Sequence, residues 1–395
     1  MALAMESSLT NVNLRNGSPD TASRIESRKF LTFHNSDAFR FIGSKLALLP
    51  VLDKLVKYHC GSSKDLVFAD IFTGTAAVSN HFKRAGYSII ANDNLTFSST
   101  LAKASLLNNS QPEFGKLIES GELKDGKAHL WKNLDSNQYD NVLDYLNSLN
   151  GVKGFFYNEY APNGLDGKFQ RKYFTNSNAQ RIDAIRTKIS SWENDGLLSE
   201  EESSLLISDL LKAANKVANI AGTYGYFLKE WDDRAKKPLT LLKSRIIPSS
   251  KTHYVFNEDA NILVKRIIPD ILYLDPPYTW RHYGAYYHIL ETIAKWDSPK
   301  VNGSSGLRAW EGSKSRYCYR NEALDALSEL IQNANFNHLF LSYNSEGLIT
   351  HEQILKIISK VGVPVIYEIN YRRYKSHPNE IENTVKERVY YVNRR

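Results

Sequence analysis

The sequence predicts an α/β fold in which a doubly wound, mainly parallel sheet is interrupted by a long helical insertion. Three observations support this prediction. Short apolar runs of strand length alternate with amphipathic patterns, as in βαβ units. A glycine turn follows the first run and an Asn-Asp pair follows the second. A stretch of helical patterns then separates the early strands from the later ones, which indicates an insertion within one sheet.

The composition is that of a globular protein with a basic surface. Of 395 residues, 42% are hydrophobic and 24% charged, and the net charge is +7. This charge suits a polyanionic partner, although many basic proteins bind no nucleic acid. Cys60 and Cys318 are far apart and no His/Cys cluster has zinc spacing, so we expect no metal. No signal peptide or membrane-length apolar run is present, so we expect no membrane partner and a cytoplasmic location.

The apolar patterns also predict the domain boundaries. Residues 1–33 are polar and lack periodicity, which predicts a flexible tail. A split catalytic domain is predicted over 34–110 and 251–395, with a helical insertion over 111–250. The predicted strands cover residues 66–69, 87–91, 253–256, 271–274, 339–343, 365–369 and 389–392.

The most informative stretch is Asp275-Pro276-Pro277-Tyr278, which directly follows an apolar strand. Two prolines make a stiff corner that holds the Asp275 carboxylate and the Pro276 carbonyl in fixed directions. Two such acceptors would bind both hydrogens of an aromatic amine, localise its lone pair and stabilise the positive charge that develops during alkylation. Tyr278 would hold the base by stacking. The alternative is a plain strand-to-loop corner in which Asp275 caps a turn and Tyr278 packs.

These motifs, taken in order, resemble the D12 class of adenine-N6 DNA methyltransferases, which includes Dam-type and restriction-modification enzymes. The motifs are Phe41-Ile42-Gly43-Ser44-Lys45, Asp70-Ile71-Phe72-Thr73-Gly74-Thr75, Asn92-Asp93 and Asp275-Pro276-Pro277-Tyr278. The resemblance implies a Rossmann-like sheet that binds S-adenosylmethionine and methylates a flipped adenine in double-stranded DNA. The order of motifs is similar to the α arrangement, in which the insertion is the target-recognition domain. A cognate restriction endonuclease acting separately is a further implied partner.

The resemblance also implies which residues hold the cofactor. Phe41 and Lys45 would contact its methionine end, Lys45 through the carboxylate, and Asp93 would accept the ribose hydroxyls, as acidic residues do in dinucleotide folds. Gly74 would allow close backbone approach. The full predicted set is Phe41, Gly43, Lys45, Asp70, Ile71, Phe72, Gly74, Thr75, Asp93, Asn94, Phe256, Asn257 and Asp259. Taken alone, Lys45 also fits a solvated lysine at a helix start, and Asp93 a simple turn.

Three basic clusters are candidates for DNA contact. They interleave cations with aromatic or small residues, which suits phosphate binding. The predicted DNA-binding residues are Lys168, Arg171, Lys172, Lys236, Lys237, Arg372, Arg373 and Lys375. A solvated protein face is an equally good interpretation of each cluster taken singly.

Other functions stay open from the sequence alone. Cytosine-N4 methylation uses the same amine chemistry, but Asp rather than Ser at the head of the strip favours adenine. RNA adenine methylation is a further enzyme alternative, against which the large insertion argues. A catalytically silent DNA-binding protein is the alternative from a different class, and the intact Lys45, Asp93, Asp275 and Tyr278 argue against it.

Overall fold

The computed structural model describes residues 12–14, 39–125, 137–164, 170–310, 314–372 and 384–394. The strands are β1 (Val12–Leu14), β2 (Val67–Asp70), β3 (Ser88–Asn92), β4 (Tyr254–Phe256), β5 (Ile271–Leu274), β6 (Val301–Asn302), β7 (Leu307–Arg308), β8 (His338–Asn344), β9 (Val365–Arg372) and β10 (Thr384–Asn393). The helices are α1 (Leu49–Cys60), α2 (Ala77–Ala85), α3 (Thr96–Leu106), α4 (Gly115–Ser120), α5 (Gln138–Ser148), α6 (Phe155–Tyr160), α7 (Asn176–Asn194), α8 (Glu200–Val217), α9 (Ala260–Leu263), α10 (Tyr283–Tyr286), α11 (His288–Lys295), α12 (Ala323–Asn333) and α13 (His351–Ile358).

The central sheet has the order β1-β9-β10-β8-β5-β2-β3-β4. Strands β8, β5, β2, β3 and β4 are parallel, whereas β10 is antiparallel to both β8 and β9. From β2 the chain builds outward through β3 to β4, and then crosses back to place β5 on the other side of β2. This reversal between β2 and β5 is a topological switch point, where open α/β sheets bind ligands beyond the carboxyl ends of the strands. The predicted Rossmann-like α/β fold is confirmed.

The strands lie close to their predicted positions. The strand predicted over 271–274 is matched in full by β5, and β2 and β3 are each shifted by one residue. The antiparallel strand β10 is longer than predicted because it pairs along most of its length with both β8 and β9. Residues 12–14 lie within the predicted flexible tail, but they form strand β1 and pair with β9.

Apolar residues on the two faces of the sheet pack against different helices. One face is covered by α9, α12 and α13, whose buried residues pack with those of β2, β5 and β8. The other is covered by α1 and α2, with Phe68 and Phe82 stacked at 4.0 Å between centroids. Helix α2 ends at Gly86, whose left-handed φ of 95° allows the turn into β3.

The chain between β3 and β4 is mainly helical, and its longest helices are α7 and α8. Helix α8 begins with a capping box between Ser199 and Glu202, which satisfies donors that a helix start otherwise leaves free. Buried residues of α5 to α8 share one apolar core with α3 and α11. The insertion is therefore packed directly onto helices that flank the sheet. None of the helices in the described part of the chain has the length and apolar character needed to span a bilayer.

Candidate active site

The Asp275–Tyr278 strip lies at the switch point of the sheet. Strand β5 is wholly buried and ends at Leu274, so Asp275 is the first residue beyond its carboxyl end. Strand β2 pairs with β5 and ends at Asp70, which places a second carboxylate at the same edge. The strip is held from outside, because Leu348 N–H donates to the Tyr278 carbonyl at 2.8 Å.

Lys45 is bound between two buried carboxylates. Its Nζ lies 3.1 Å from Asp275 Oδ1 and 3.0 Å from Glu387 Oε1, with side chains 9%, 14% and 8% exposed respectively. The same ammonium lies 5.2 Å from the centre of the Tyr278 ring. The sequence-based prediction paired Lys45 with a cofactor carboxylate. In the structure Lys45 binds two carboxylates of the protein, because the sheet brings β5 and β10 to the same loop, and its contact with a cofactor stays a prediction.

Burial and neighbouring charges set the protonation of this group. Burial lowers the pKa of Lys45, but Asp275 and Glu387 more than offset this and raise it well above the ordinary value. Burial raises the pKa of Asp275 to about 7; Lys45 opposes the rise and Glu387 adds to it. Asp275 is therefore a carboxyl group whose charge depends on pH near neutrality, whereas Lys45 stays cationic.

The glycine turn after β2 forms the next part of the cavity. Gly74 has a φ of +53°, and a Cβ at this position would lie 3.1 Å from Cε1 of Phe41. Its N–H donates to Asp93 Oδ2 at 2.9 Å, and Leu95 N–H donates to Asp93 Oδ1 at 2.9 Å. Phe41 in turn stacks on Tyr287 with centroids 4.8 Å apart. The end of β3 thus fixes the turn that follows β2, and the turn supports the Phe41 ring.

Among the described residues, one carboxylate oxygen of Asp70 has no hydrogen-bond partner. Thr73 Oγ1 and Ser79 Oγ donate to Asp70 Oδ2 at 3.2 and 2.6 Å. Asp70 Oδ1 is buried and, within the described residues, accepts no hydrogen bond. Burial raises the pKa of Asp70 to about 6, against the lowering effect of these hydroxyls. Such an orphaned carboxylate oxygen is a ready acceptor for a cationic or hydrogen-bonding ligand.

One cavity contains most of the predicted site residues. The predicted residues that line it are Phe41, Gly43, Lys45, Asp70, Ile71, Phe72, Gly74, Thr75, Asp93, Asn94, Asp259 and the strip Asp275, Pro276, Pro277 and Tyr278. Asp259 also caps α9, accepting from Asn261 N–H and Ile262 N–H.

Two predicted cofactor residues have other partners and are not among those that line the cavity. The Asn257 amide donates to the Asp93 carbonyl at 2.7 Å, and its Oδ1 accepts from Thr96 Oγ1. Phe256 packs against the core cluster that α9, α12 and α13 cover. Phe256 and Asn257 lie away from the cavity because strand β4 is at the edge of the sheet, one strand beyond β3.

Sequence reasoning did not find Glu387, and it left Tyr283 between a channel lining and the core, with the core favoured. Tyr283 lines the cavity, with its ring 5.5 Å from that of Phe41 and its hydroxyl 3.2 Å from a Cβ placed on Gly43. Glu387 lies in a strand of mixed polar and apolar residues, and no local pattern distinguishes it from other strand carboxylates. Only the strand order shows that Glu387 reaches Lys45.

The structure gives Arg171 a different role from the predicted DNA contact. It is 4% exposed, and its guanidinium donates to the Gly303 and Ser304 carbonyls and to Glu159. The Arg171 guanidinium therefore stabilises the β6–β7 hairpin and is not exposed for contact with a phosphate.

The remaining predicted DNA residues divide between the surface and the undescribed part of the chain. Lys236 and Lys237 are exposed, with Lys236 3.0 Å from Asp233. The half-buried Lys172 donates to the Lys229 carbonyl. Lys168, Arg373, Lys375 and the side chain of Arg372 lie outside the described residues.

The chain is similar to several known modification methylases. The modification methylase StsI of Streptococcus sanguinis is 40% identical over 90% of this chain, and the type II methyltransferase M.FokI of Planomicrobium okeanokoites is 38% identical over 89%. The chain spans 52% of the length of each. The type II methyltransferase M.NlaIII of Neisseria lactamica is 36% identical, with 87% of this chain matching 94% of that protein. Residues 41–357 match the D12 class N6 adenine-specific DNA methyltransferases, and the chain belongs to this family.

Proposed function

We propose that this protein transfers a methyl group from S-adenosylmethionine to N6 of an adenine in double-stranded DNA. The observation that carries the proposal is the position of Asp275. Its carboxylate lies at the switch point of the sheet, beside Tyr278, in the same cavity as the Gly74 turn. The Asp275 carboxylate, as the acceptor for the amine, and the Gly74 turn, as part of the cofactor site, therefore line the same cavity.

The cavity fits a nucleoside cofactor that carries positive charge. Gly74 has no Cβ, which lets the Phe41 ring lie against the turn, and both residues line the cavity that would hold the cofactor. Asp70 Oδ1 would accept from the ammonium of the methionine end, and the aromatic ring of Phe41 would pack along the ligand. Asp93 would accept the ribose hydroxyls while it continues to brace Gly74. When bound, the cofactor supplies an electrophilic methyl group on a sulfonium.

The catalytic strip would activate the amine without forming a covalent bond to it. Lys45 contacts Oδ1 of Asp275. Among the described residues, Oδ2 is therefore the carboxylate oxygen left to accept an N6 hydrogen. The Pro276 carbonyl would accept the second hydrogen. With both hydrogens held, the nitrogen lone pair is directed at the methyl group and the developing charge is stabilised. Tyr278 would stack on the base after it leaves the duplex, which costs a few kcal/mol that pocket contacts offset.

Exposed basic residues of the insertion would contact the DNA. Lys236 and Lys237 are exposed, and the whole chain carries a net charge of +7. Lysines of this kind contact phosphates and do not read sequence. We infer that the insertion over 111–250 carries target recognition. The cytoplasm is the expected place of action, with a restriction endonuclease of the same specificity as a separate partner.

The experiment is methyl transfer from labelled cofactor to duplex DNA, followed by nucleoside analysis. N6-methyladenine in the wild-type product, and its loss in Asp275→Ala, are the expected results. N4-methylcytosine, or preference for RNA in a competition assay, would replace the proposed substrate with one of the alternatives. Cofactor binding by calorimetry separates these from a silent DNA-binding protein, which would show neither binding nor transfer.

A further inference from the structure

Among the described residues, Lys45 connects Glu387 to the catalytic strip. Glu387 lies on β10, opposite Asn344 of β8 and Ile369 of β9. Its Oε1 is 3.0 Å from Lys45 Nζ, and its Oε2 accepts from the Asn344 amide at 3.3 Å. Glu387 is not among the residues that line the cavity, whereas Lys45 and Asp275 both are.

The three buried charges do not cancel. One ammonium stands between two carboxylates, so with Asp275 and Glu387 both ionised the group carries a net charge of −1. If Glu387 were neutral, Lys45 would have one anionic partner and would compensate Asp275 fully. A carboxylate whose charge is fully compensated by a bound cation attracts the hydrogens of an amine less strongly, because the electrostatic part of the hydrogen bond decreases with the net negative charge at the acceptor.

We propose that Glu387 is a positioning residue that shares the Lys45 ammonium, so that Lys45 compensates the Asp275 carboxylate only in part and leaves it a stronger acceptor for the amine. This inference rests on the proposed function for the identity of the amine. Glu387 binds the same ammonium as Asp275, and the Asn344 amide fixes the direction of Glu387. Glu387 and Lys45 together set the strength of Asp275 as an acceptor without contacting the substrate.

The pH dependence gives a readout that a merely structural role would not move. Removing the charge of Glu387 removes a repulsion that favours protonated Asp275, so the pKa of Asp275 falls. The charged or titratable groups that face Asp275 are Lys45, Glu387, Asp70, Tyr273 and Tyr283. Burial raises the pKa of both tyrosines well above the ordinary value, and Lys45 stays cationic. Among these groups Asp70, with a pKa of about 6, is expected to titrate close to Asp275, and Asp93, with a pKa of about 7, lines the same cavity.

The test is Glu387→Gln, which keeps the shape and hydrogen bonding of the side chain but removes its charge. We expect kcat above about pH 8, where Asp275 is ionised in both proteins, to fall on the order of 10- to 100-fold, because part of the charge that stabilises the transition state is lost. We expect the cofactor Kd measured by calorimetry to change by less than about 3-fold, since Glu387 lies outside the cavity. The midpoint of the Asp275 titration, followed by carboxyl ¹³C NMR of aspartate-labelled, cofactor-free protein, should move to lower pH. Asp275→Asn identifies the signal.

The matched control is Glu368→Gln on the neighbouring strand β9. Glu368 binds Arg388 at 2.9 Å and Lys386 at 3.6 Å and does not contact Lys45, so kcat and the titration should stay unchanged. Glu387→Asp keeps the charge and should keep the Asp275 midpoint within about 0.3 pH units of the wild type while kcat falls. It serves as the second variant if Glu387→Gln proves unstable in urea.

Two results would overturn the proposal. One is an unchanged kcat in Glu387→Gln; the other is a lower kcat with an unmoved Asp275 titration, which would make Glu387 merely structural. The NMR arm uses neither DNA nor cofactor. A wild-type protein that fails to methylate DNA would therefore refute the proposed function and leave the titration result to judge the coupling.

Discussion

Asp93 Oδ2 accepts a hydrogen bond from Gly74 N–H at 2.9 Å, so the carboxylate at the end of β3 fixes the turn at the end of β2. The other oxygen of Asp93 accepts from Leu95 N–H and begins the path into α3. Burial raises the pKa of Asp93 to about 7, against the lowering effect of these two hydrogen bonds. A residue that sequence reasoning assigned to ribose binding thus also shapes the cavity, and this dual position leads to the first prediction.

Asp93→Ala should weaken cofactor binding by about 10- to 100-fold. The substitution removes an acceptor of two backbone N–H groups, and hydrogen bonds to charged groups contribute about 1.5–3 kcal/mol. Calorimetry with S-adenosylmethionine measures the effect. Asp93→Asn keeps one carbonyl acceptor and should lie between the wild type and Asp93→Ala. Equal affinity in all three proteins would show that Asp93 neither braces the turn nor contacts the cofactor.

Gly74→Ala should also weaken cofactor binding, for a steric reason. A left-handed residue with a Cβ costs about 1–2 kcal/mol, and the new Cβ would meet Phe41 Cε1 at 3.1 Å. The matched control is Gly61→Ala, since Gly61 has a φ of +77° but no atom within 4 Å of its added Cβ. Both variants should lose stability in urea, but only Gly74→Ala should lose cofactor affinity. A Gly61→Ala variant with the same affinity loss would refute the cavity argument.

The rate of methyl transfer should rise with pH through about 7. The working form of Asp275 is the carboxylate, and burial raises its pKa to about 7, so the active fraction is small at pH 5.5 and nearly full at pH 8.5. The logarithm of kcat/KM should climb with a slope near 1 below the midpoint and then level off. A profile that is flat from pH 5.5 to 8.5, measured at constant ionic strength, would contradict an acceptor with a raised pKa.

Arg171→Ala and Lys237→Ala should differ in kind. Arg171 is buried and pairs with Glu159 at 2.8 Å, so its loss should lower the free energy of unfolding by about 3–5 kcal/mol. Lys237 is exposed, and its loss should leave stability within about 0.5 kcal/mol. In DNA binding measured against salt concentration, Lys237→Ala should reduce the slope by about 1. An unchanged slope would place Lys237 away from the DNA.

The sequence by itself determined the local features of this protein. The positions of the strands along the chain, the glycine turn at Gly74 and the prolyl strip after β5 were predicted because each depends on neighbouring residues. An apolar run, a glycine or a proline restricts the backbone wherever it occurs. The cavity-lining residues at the ends of β2, β3 and β5 followed, since parallel strands end at the same edge of a sheet.

The tertiary structure decided which distant side chains meet. Lys45, Asp275 and Glu387 come from three remote parts of the chain, and only the position of β10 beside β8 brings Glu387 to Lys45. Burial was equally invisible in the sequence, where Arg171 resembles the exposed Lys237. The residue type determines whether a side chain is charged, but the partner and the solvent exposure of that side chain depend on how the whole sheet and the insertion pack. The charge distribution of the site is therefore a property of the fold rather than of any motif.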